Sequence, residues 1–431
     1  MTADIPIRRR RRGNAIVIVG AQWGDEGKGK VVDEYAGNAD MVIRFNGGAN
    51  AGHSIYIGGE KFVTHLLPSG IVRRGMINIV GPGVVCSLDA LREELVVADR
   101  CGSEVFLDRS APVIHAIHRW FDAARESGGN AIGTTKRGIG PAYEDVGARR
   151  TVSLGDLVNP DRVRNALIAN GYYLERLAAA RSYIDVTIPF PTLDEVIHEL
   201  MSYRALVMPR LHDTRLLAHQ ALADGKFLIF EGAQGVMLDV YYGSKPYTTS
   251  SGCTAAAVGS TFGVHQFDAV IGVAKAYVTR VGEGPFPTEL NDTTGEKLRK
   301  EGHEFGSTTG RPRRCGWLDL PALDFAGRMG GITQLIITKL DILSAFESIK
   351  VCMDYEFEGR TVGPLETLTT RVLREAIPRL LPMKSWGDLQ SCRNLHDLPA
   401  TADLYLDLIR QRTGLPIVAV GTGPEREQLI R

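Results

Sequence analysis

Two short segments carry residue types spaced for nucleotide chemistry. Gly24 to Lys30, read Gly-Asp-Glu-Gly-Lys-Gly-Lys, satisfies G-x-x-x-x-G-K, the spacing in which successive backbone N–H groups and a helix N-terminus cradle phosphate oxygens. The following position of such loops ordinarily holds Ser or Thr to bind Mg²⁺, but here it is Val31. The hydroxyl is missing, so the nearest hard oxygen donor is Asp25, inside the loop itself. The second segment is Thr338-Lys339-Leu340-Asp341, which ends an apolar run. An Asp there can accept from both N1–H and N2–H of guanine, a pattern adenine cannot supply, while the Lys stem lies along the base. Each segment alone is also ordinary turn chemistry. In one chain they read together as a guanine nucleotide site.

Further polar glycine loops exceed the needs of one nucleotide. The stretch from Asn46 includes Asn50, Ala51, Gly52, His53 and Ser54, and Gly133–Pro141 includes Thr135. Gln234 lies in Glu231–Gly235 and Thr249 in Thr248–Ser251. Gly306–Arg314 sets Ser307, Thr308, Thr309, Gly310 and Pro312 among Arg311, Arg313 and Arg314, hydroxyls beside guanidiniums that suit carboxylate or phosphate capture. His53 is expected to be an exposed, tunable acid, because it sits in a Gly/Asn loop. His115 and His118, three apart beside Ile114 and Ile117, read as helix-face residues instead.

The elements that must hold these loops are legible as apolar runs. Ala15–Val19, Met41–Phe45, Ile77–Val80, Phe227–Phe230, Ala269–Val273, Gln334–Thr338 and Pro416–Val420 are near-continuous, as in strands buried on both faces. Helices are expected near Val31 and over Leu88–Ala98, Ile114–Glu126, Leu193–Val207 and Ala402–Arg412. The last places Leu404, Tyr405, Leu408 and Ile409 on one face and stops at Gly414. Alternation of this kind predicts an α/β fold, a large mostly parallel central sheet flanked by helices. Ile55–Ile57 and Lys61–Leu66 around Gly58-Gly59 predict a small added antiparallel hairpin.

Residues 1–13 end in five arginines, Arg8 to Arg12, and read as a mobile basic tail. Residues 14–431 show no repeat or Pro/Ser-rich linker and read as a single domain with insertions. Fifty Lys+Arg balance fifty Asp+Glu, so no global field draws the molecule to nucleic acid or a membrane surface. Six cysteines without a C-x-x-C pair suit a reducing compartment rather than a disulfide framework or zinc site. With no apolar stretch near ~18 residues, the expectation is a cytoplasmic protein without a membrane span.

The segments Gln22–Lys30, Asn50–His53, Gly133–Thr135, Gly138–Asp145, Phe230–Gly235, Gly284–Glu289, Thr309–Arg311, Gly316–Asp319 and Thr338–Asp341 occur in the order found in one family. The chain resembles adenylosuccinate synthetases from about Asn14 to its end. That resemblance implies joining of IMP to L-aspartate with GTP hydrolysis, through a 6-phosphoryl-IMP intermediate, with one Mg²⁺ ion. It implies Asp25 as base and Mg²⁺ ligand, His53 as acid, and the Gly52 carbonyl as a second Mg²⁺ ligand. For GTP the matching positions are Gly24, Asp25, Glu26, Gly27, Lys28, Gly29, Lys30, Gly52, His53, Ser54, Arg313, Lys339, Leu340, Asp341, Gly421, Thr422 and Gly423. For IMP they are Asp25 to Lys28, Asn50 to His53, Thr135, Arg149, Gln234, Thr249 and Arg311. Ser307 to Arg313 resemble the aspartate clamp. Arg149 is similar to an arginine lent across a homodimer, so a dimer is implied.

There are departures from the family pattern. Gly421 stands where the family often has Ser, and Gly252-Cys253 and Ala256-Ala257 replace an expected Asn and paired glycines. A phage branch that adds aspartate to a guanine nucleotide lacks the loop aspartate, and Asp25 sets this chain apart from it. The rival reading is a GTP-dependent switch, for which His53, Gln234 and the Thr308–Arg313 loop would be superfluous. Nicotinamide binding is disfavoured, because no G-x-G-x-x-G with an acid about 20 residues onward fits the first strand.

Overall fold

The structure, a computed structural model, describes residues 14–127, 131–183, 186–306, 310–363 and 366–431. The arginine-rich head, Ser307, Thr308 and Thr309 lie outside the described residues.

Ten strands form the central sheet: β1 Ala15–Gly20, β2 Met41–Arg44, β3 Ile77–Val80, β4 Glu104–Asp108, β5 Leu211–His212, β6 Leu228–Gly235, β7 Ala269–Lys275, β8 Gln334–Thr338, β9 Ile417–Gly421 and β10 Leu429–Ile430. Their order is β5-β4-β3-β2-β6-β1-β7-β8-β9-β10. All neighbours are parallel except the final pair, β9 with β10. The expected class therefore holds. Alternation along β1 explains the layers, since Ala15, Val17 and Val19 enter one apolar cluster and Ile16 and Ile18 another. A strand must be apolar on both faces when both are covered. A further cluster is built from Leu91, Leu95, Trp120, Phe121, Leu154 and Leu200, mostly from the helical stretches before β5.

Local expectations differ in instructive ways. The run ending at Phe230 continues as strand to Gly235, carrying the charged Glu231 into the sheet. The helix near Val31 starts at Lys28 and runs to Ala36, so Lys28 and Lys30 occupy its first turn. The last helix is Ala400–Thr413, and its buried residues are Ala402, Tyr405, Leu406 and Ile409. Leu404 is 61% exposed, because the stripe sits one position round from the expected face. Leu193–Val207 is broken into Leu193–Ser202 and Arg204–Val207. The hairpin is present as His53–Ile57 paired with Glu60–Thr64. Gly58 and Gly59, at φ 58° and 82°, supply the two left-handed positions that a two-residue turn of this twist requires.

Candidate functional site

β1 empties into the glycine-rich loop, which turns through left-handed Gly24, Asp25 and Gly27 before the helix at Lys28. Asp25 is not glycine, and a φ of 58° there is strain of ~1–3 kcal/mol that the surrounding contacts must hold. The fully buried Glu26 holds the loop from within. Its carboxylate accepts from the Gln22 N–H at 3.1 Å, the Gly24 N–H at 2.9 Å and the Lys28 ammonium at 2.6 Å. The Thr338 hydroxyl donates to the Glu26 carbonyl at 2.6 Å, clasping the end of β8 to this loop. Lys30 donates to the Gly423 carbonyl at 2.6 Å, and burial brings its pKa down to about 8. The Asp25 carboxylate is 30% exposed and accepts from Arg313 Nε at 2.7 Å.

His53 opens the hairpin and lies against the first turn of the loop helix. A Cβ on Gly29 would stand 2.8 Å from that of His53, so the approach needs glycine. The expected exposure is overturned, because His53 is buried on the β2–β6 side of the sheet. Its Nδ1 makes a short hydrogen bond to Glu231, which also accepts from Arg44 at 3.0 Å, the Ser69 N–H at 2.7 Å and the Ser69 hydroxyl at 2.8 Å. Desolvation and the Arg44 guanidinium depress the His53 pKa to about 4. Burial alone would raise Glu231, but His53 and Arg44 hold it down at about 2. The resting state is thus a charged Glu231 accepting from the Nδ1–H of a neutral imidazole. The other nitrogen, Nε2, is buried without a partner.

Partnerless buried polar atoms recur in other loops at this edge of the sheet. Asn50 Oδ1, both ends of the Gln234 amide and Thr249 Oγ1 have no hydrogen-bond partner. Gln234 is again left-handed, at φ 55°. Each such atom costs ~1–3 kcal/mol unless something satisfies it. Arg137 donates to the Ala49 carbonyl and thereby joins the Thr135 loop to the Asn50 loop.

On the β8–β9 side, Asp341 Oδ1 is also buried and partnerless, and burial raises its pKa. Lys339, at φ 58°, directs its ammonium to Glu304 at 2.6 Å and to the Gly302 carbonyl at 2.7 Å. Leu340 packs in the apolar core, and its carbonyl accepts from Trp386 at 3.2 Å. A Cβ on Gly421 would come within 3.3 Å of the Thr338 Cα, so the departure from Ser loosens a tight crossing of two strand ends. At the other departure, Cys253 is buried with its N–H on Asp239 at 2.5 Å, beside Asn46.

Comparison with known proteins now decides the family. The family model described as adenylosuccinate synthetase matches residues 17–430. The chain belongs to the adenylosuccinate synthetase family. An adenylosuccinate synthetase of Syntrophotalea carbinolica is 44% identical, covering 96% of this chain and 98% of that protein. One from Geotalea daltonii is 43% identical, covering 96% and 97%. The structure titled fully ligated adenylosuccinate synthetase from Plasmodium falciparum superposes with a TM-score of 0.88 at 36% identity, over 97% of this chain and 99% of that chain. A cyanophage S-2L succinoaminodeoxyadenylate synthetase bound to dGMP and dATP has a TM-score of 0.62 at 21% identity, over 98% of this chain and 96% of that chain, a likeness of fold alone. Family membership makes this chain a C–N bond-forming ligase of the route from IMP to AMP.

The tertiary structure gathers Gly24 to Lys30, Asn50 to Ser54, Gln234, Thr249, Arg313, Lys339 to Asp341 and Gly421 to Gly423 at the carboxyl edge of the strands, where open α/β sheets bind ligands. Thr135, Arg149 and Arg311 stand exposed; Arg149 ends the helix Ile139–Ala148 in a left-handed turn at φ 61°. Glu231, Arg44, Lys275 and Glu304, buried charges that pair behind these loops, were not singled out from the sequence. A signal existed for three of them, since a charge ending or interrupting a strand buried on both faces must find a partner. Among the described residues no group of three or more His, Cys, Asp or Glu could hold a metal. The Asp25 carboxylate, partly exposed in the loop, is nonetheless a hard oxygen donor of the kind Mg²⁺ takes, since that ion needs only one or two protein oxygens and fills its octahedron with phosphate oxygens and water.

Proposed function

We propose that this enzyme converts IMP, L-aspartate and GTP to adenylosuccinate, GDP and phosphate through 6-phosphoryl-IMP. The observation that carries this reading is the set of buried, partnerless polar atoms on Asn50, His53, Gln234, Thr249 and Asp341, arranged around a phosphate loop. The fully ligated Plasmodium falciparum structure, so similar over the whole chain, supports it.

Asp25 takes the N1–H proton of hypoxanthine, raising electron density on O6. O6 then bonds to the γ-phosphorus while the bond from phosphorus to the β,γ-bridging oxygen breaks, releasing GDP. The neutral His53 of the resting state gains affinity for a proton as phosphate anions arrive. Its Nε2 then donates toward O6 and the transferring phosphoryl group, with Nδ1–H held by Glu231. Mg²⁺ on Asp25 and Gly52 would reduce the charge of the phosphoryl oxygens when bound. In the second step the aspartate amine bonds to C6, the C6–O6 bond breaks, phosphate leaves with O6, and the amine gives up one proton.

Gly24–Lys30 hold the triphosphate and Asp341 reads guanine. Asn50, Thr135, Gln234, Thr249 and Arg311 hold IMP, and the 307–313 segment holds the carboxylates of aspartate. Arg149, exposed at its helix end, is lent to a partner subunit in a homodimer. The enzyme works in the cytoplasm; no helix among the described residues is long and apolar enough to cross a membrane. The deciding assay mixes the protein with Mg²⁺, IMP, aspartate and either GTP or ATP. GDP release that requires IMP and aspartate together is expected, whereas turnover of GTP alone would favour a switch.

A further inference from the structure

Beneath the guanine-reading segment lies a buried charge cluster with no place in the mechanism above. Glu304 is only 4% exposed and sits between two cations. Its carboxylate oxygens accept from Lys275 Nζ, each at 2.8 Å, and one of them also from Lys339 Nζ at 2.6 Å and the Tyr277 hydroxyl at 2.5 Å. Lys275 is buried at the end of β7, opposite Thr338 in the sheet register. Burial opposes the charge on Glu304, yet the two ammonium groups keep its pKa down at about 2. The same residue's carbonyl accepts from the Arg313 N–H at 2.9 Å, and Arg313 is the cation on Asp25.

The arrangement matters because Lys339 and Asp341 are two residues apart. A lysine ammonium beside a carboxylate in a low-dielectric site would pair with it and occupy the acceptor that guanine needs. The observed Asp341 Oδ1 has no partner, and the Lys339 ammonium is committed to Glu304 and the Gly302 carbonyl. We infer that Glu304 is a specificity-determining positioning residue, which sequesters the Lys339 ammonium so that Asp341 stays open to guanine N–H groups. Through its backbone it also fixes Arg313, so base recognition and the surroundings of Asp25 share one anchor. This inference rests on the GTP reading above.

The test uses the full-length enzyme and the substitutions Glu304→Gln and Glu304→Asp, with kcat and KM measured for GTP and ATP at saturating IMP and aspartate. Glu304→Gln leaves Lys275 and Lys339 without their shared anion. It is expected to raise KM for GTP and to cut the GTP:ATP ratio of kcat/KM by about tenfold or more, with a smaller change in kcat. Adding Lys339→Met to Glu304→Gln removes the misplaced ammonium and should restore part of that ratio, which general loosening of the core would not do. Glu304→Asp keeps a charge for Lys275 but draws back from Lys339, so it should fall between wild type and Glu304→Gln. It also serves as the deciding variant if Glu304→Gln fails to fold. A folded variant with an unchanged GTP:ATP ratio, or a double variant with no recovery, overturns the inference. If the wild-type enzyme itself shows no preference for GTP, the nucleotide assignment fails instead.

Discussion

Among the described residues two buried histidine–carboxylate pairs stand out, and they are wired differently. In the first, His53 gives Nδ1 to Glu231 and leaves Nε2 partnerless. In the second, His118 Nε2 pairs with Asp145 at 2.9 Å while its Nδ1 accepts from the His115 N–H at 3.2 Å, so both nitrogens are used. The His115 ring stacks on His118 with centroids 3.7 Å apart, and Asp145 is further satisfied by Tyr172 at 2.7 Å and by Arg176. The sequence made His115 and His118 helix-face residues; His118 is the third residue of the helix Ala116–Arg125 and lies on its buried face, whereas His115 is the N-cap just before it, also buried. Burial and a carboxylate partner are thus common to both pairs. What separates them is an unspent nitrogen, because a group whose hydrogen bonds are all made inside the protein has nothing left for a substrate.

If open side chains govern turnover and closed networks govern stability, substitutions must sort accordingly. Asp25→Asn, on the open side, should retain measurable nucleotide binding by calorimetry while lowering kcat by several orders of magnitude, and near wild-type turnover would break the scheme. His53→Asn is expected to reduce kcat by about 10²–10⁴-fold and, because it takes one partner from the buried Glu231, to lower the denaturation midpoint as well. His118→Asn should show the stability loss without the loss of turnover. It leaves Asp145 short of a partner and costs ~2–3 kcal/mol in urea unfolding, with kcat per folded molecule nearly unchanged. Asp341→Asn mispairs one guanine N–H and should lower the GTP:ATP discrimination by ~1–3 kcal/mol in competition assays.

The pH dependence of stability sharpens the contrast further. Desolvation, first of all, lowers the pKa of His53, His115 and His118 in the folded protein, whereas unfolded histidine titrates near 6.5. The unfolded chain therefore binds the protons first. The stabilisation is complete above pH about 6.5 and is lost as pH falls toward the folded value for His53 of about 4. His118→Asn should flatten that slope in denaturation series across this window. An unchanged slope would mean that His118 is already charged in the folded state.

The strands were legible because their residues are apolar on both faces, and the phosphate loop because glycine and charge alternate there. Asp25, Gln234 and Lys339 were marked by motif alone, and all three prove to be left-handed, so the strained backbone and the polar atoms converge on the same residues. The burial of His53 was not legible. Its loop context resembles an exposed turn, and only the β2–β6 pairing brings Arg44 and Glu231 beside it. The wrong face assigned to Leu404 has a similar cause, since both candidate stripes fit the helical period and the packing partner selects one.

By itself the sequence determined what depends on near neighbours along the chain: which runs become buried strands, and where glycine-rich loops and turns follow them. The tertiary structure alone decided which charges meet. His53 and Glu231 are 178 residues apart, and Glu304 reaches Lys275 and Lys339 across 29 and 35. Such pairs follow from strand order, and a local pattern of residue types carries no record of the strand that will lie alongside.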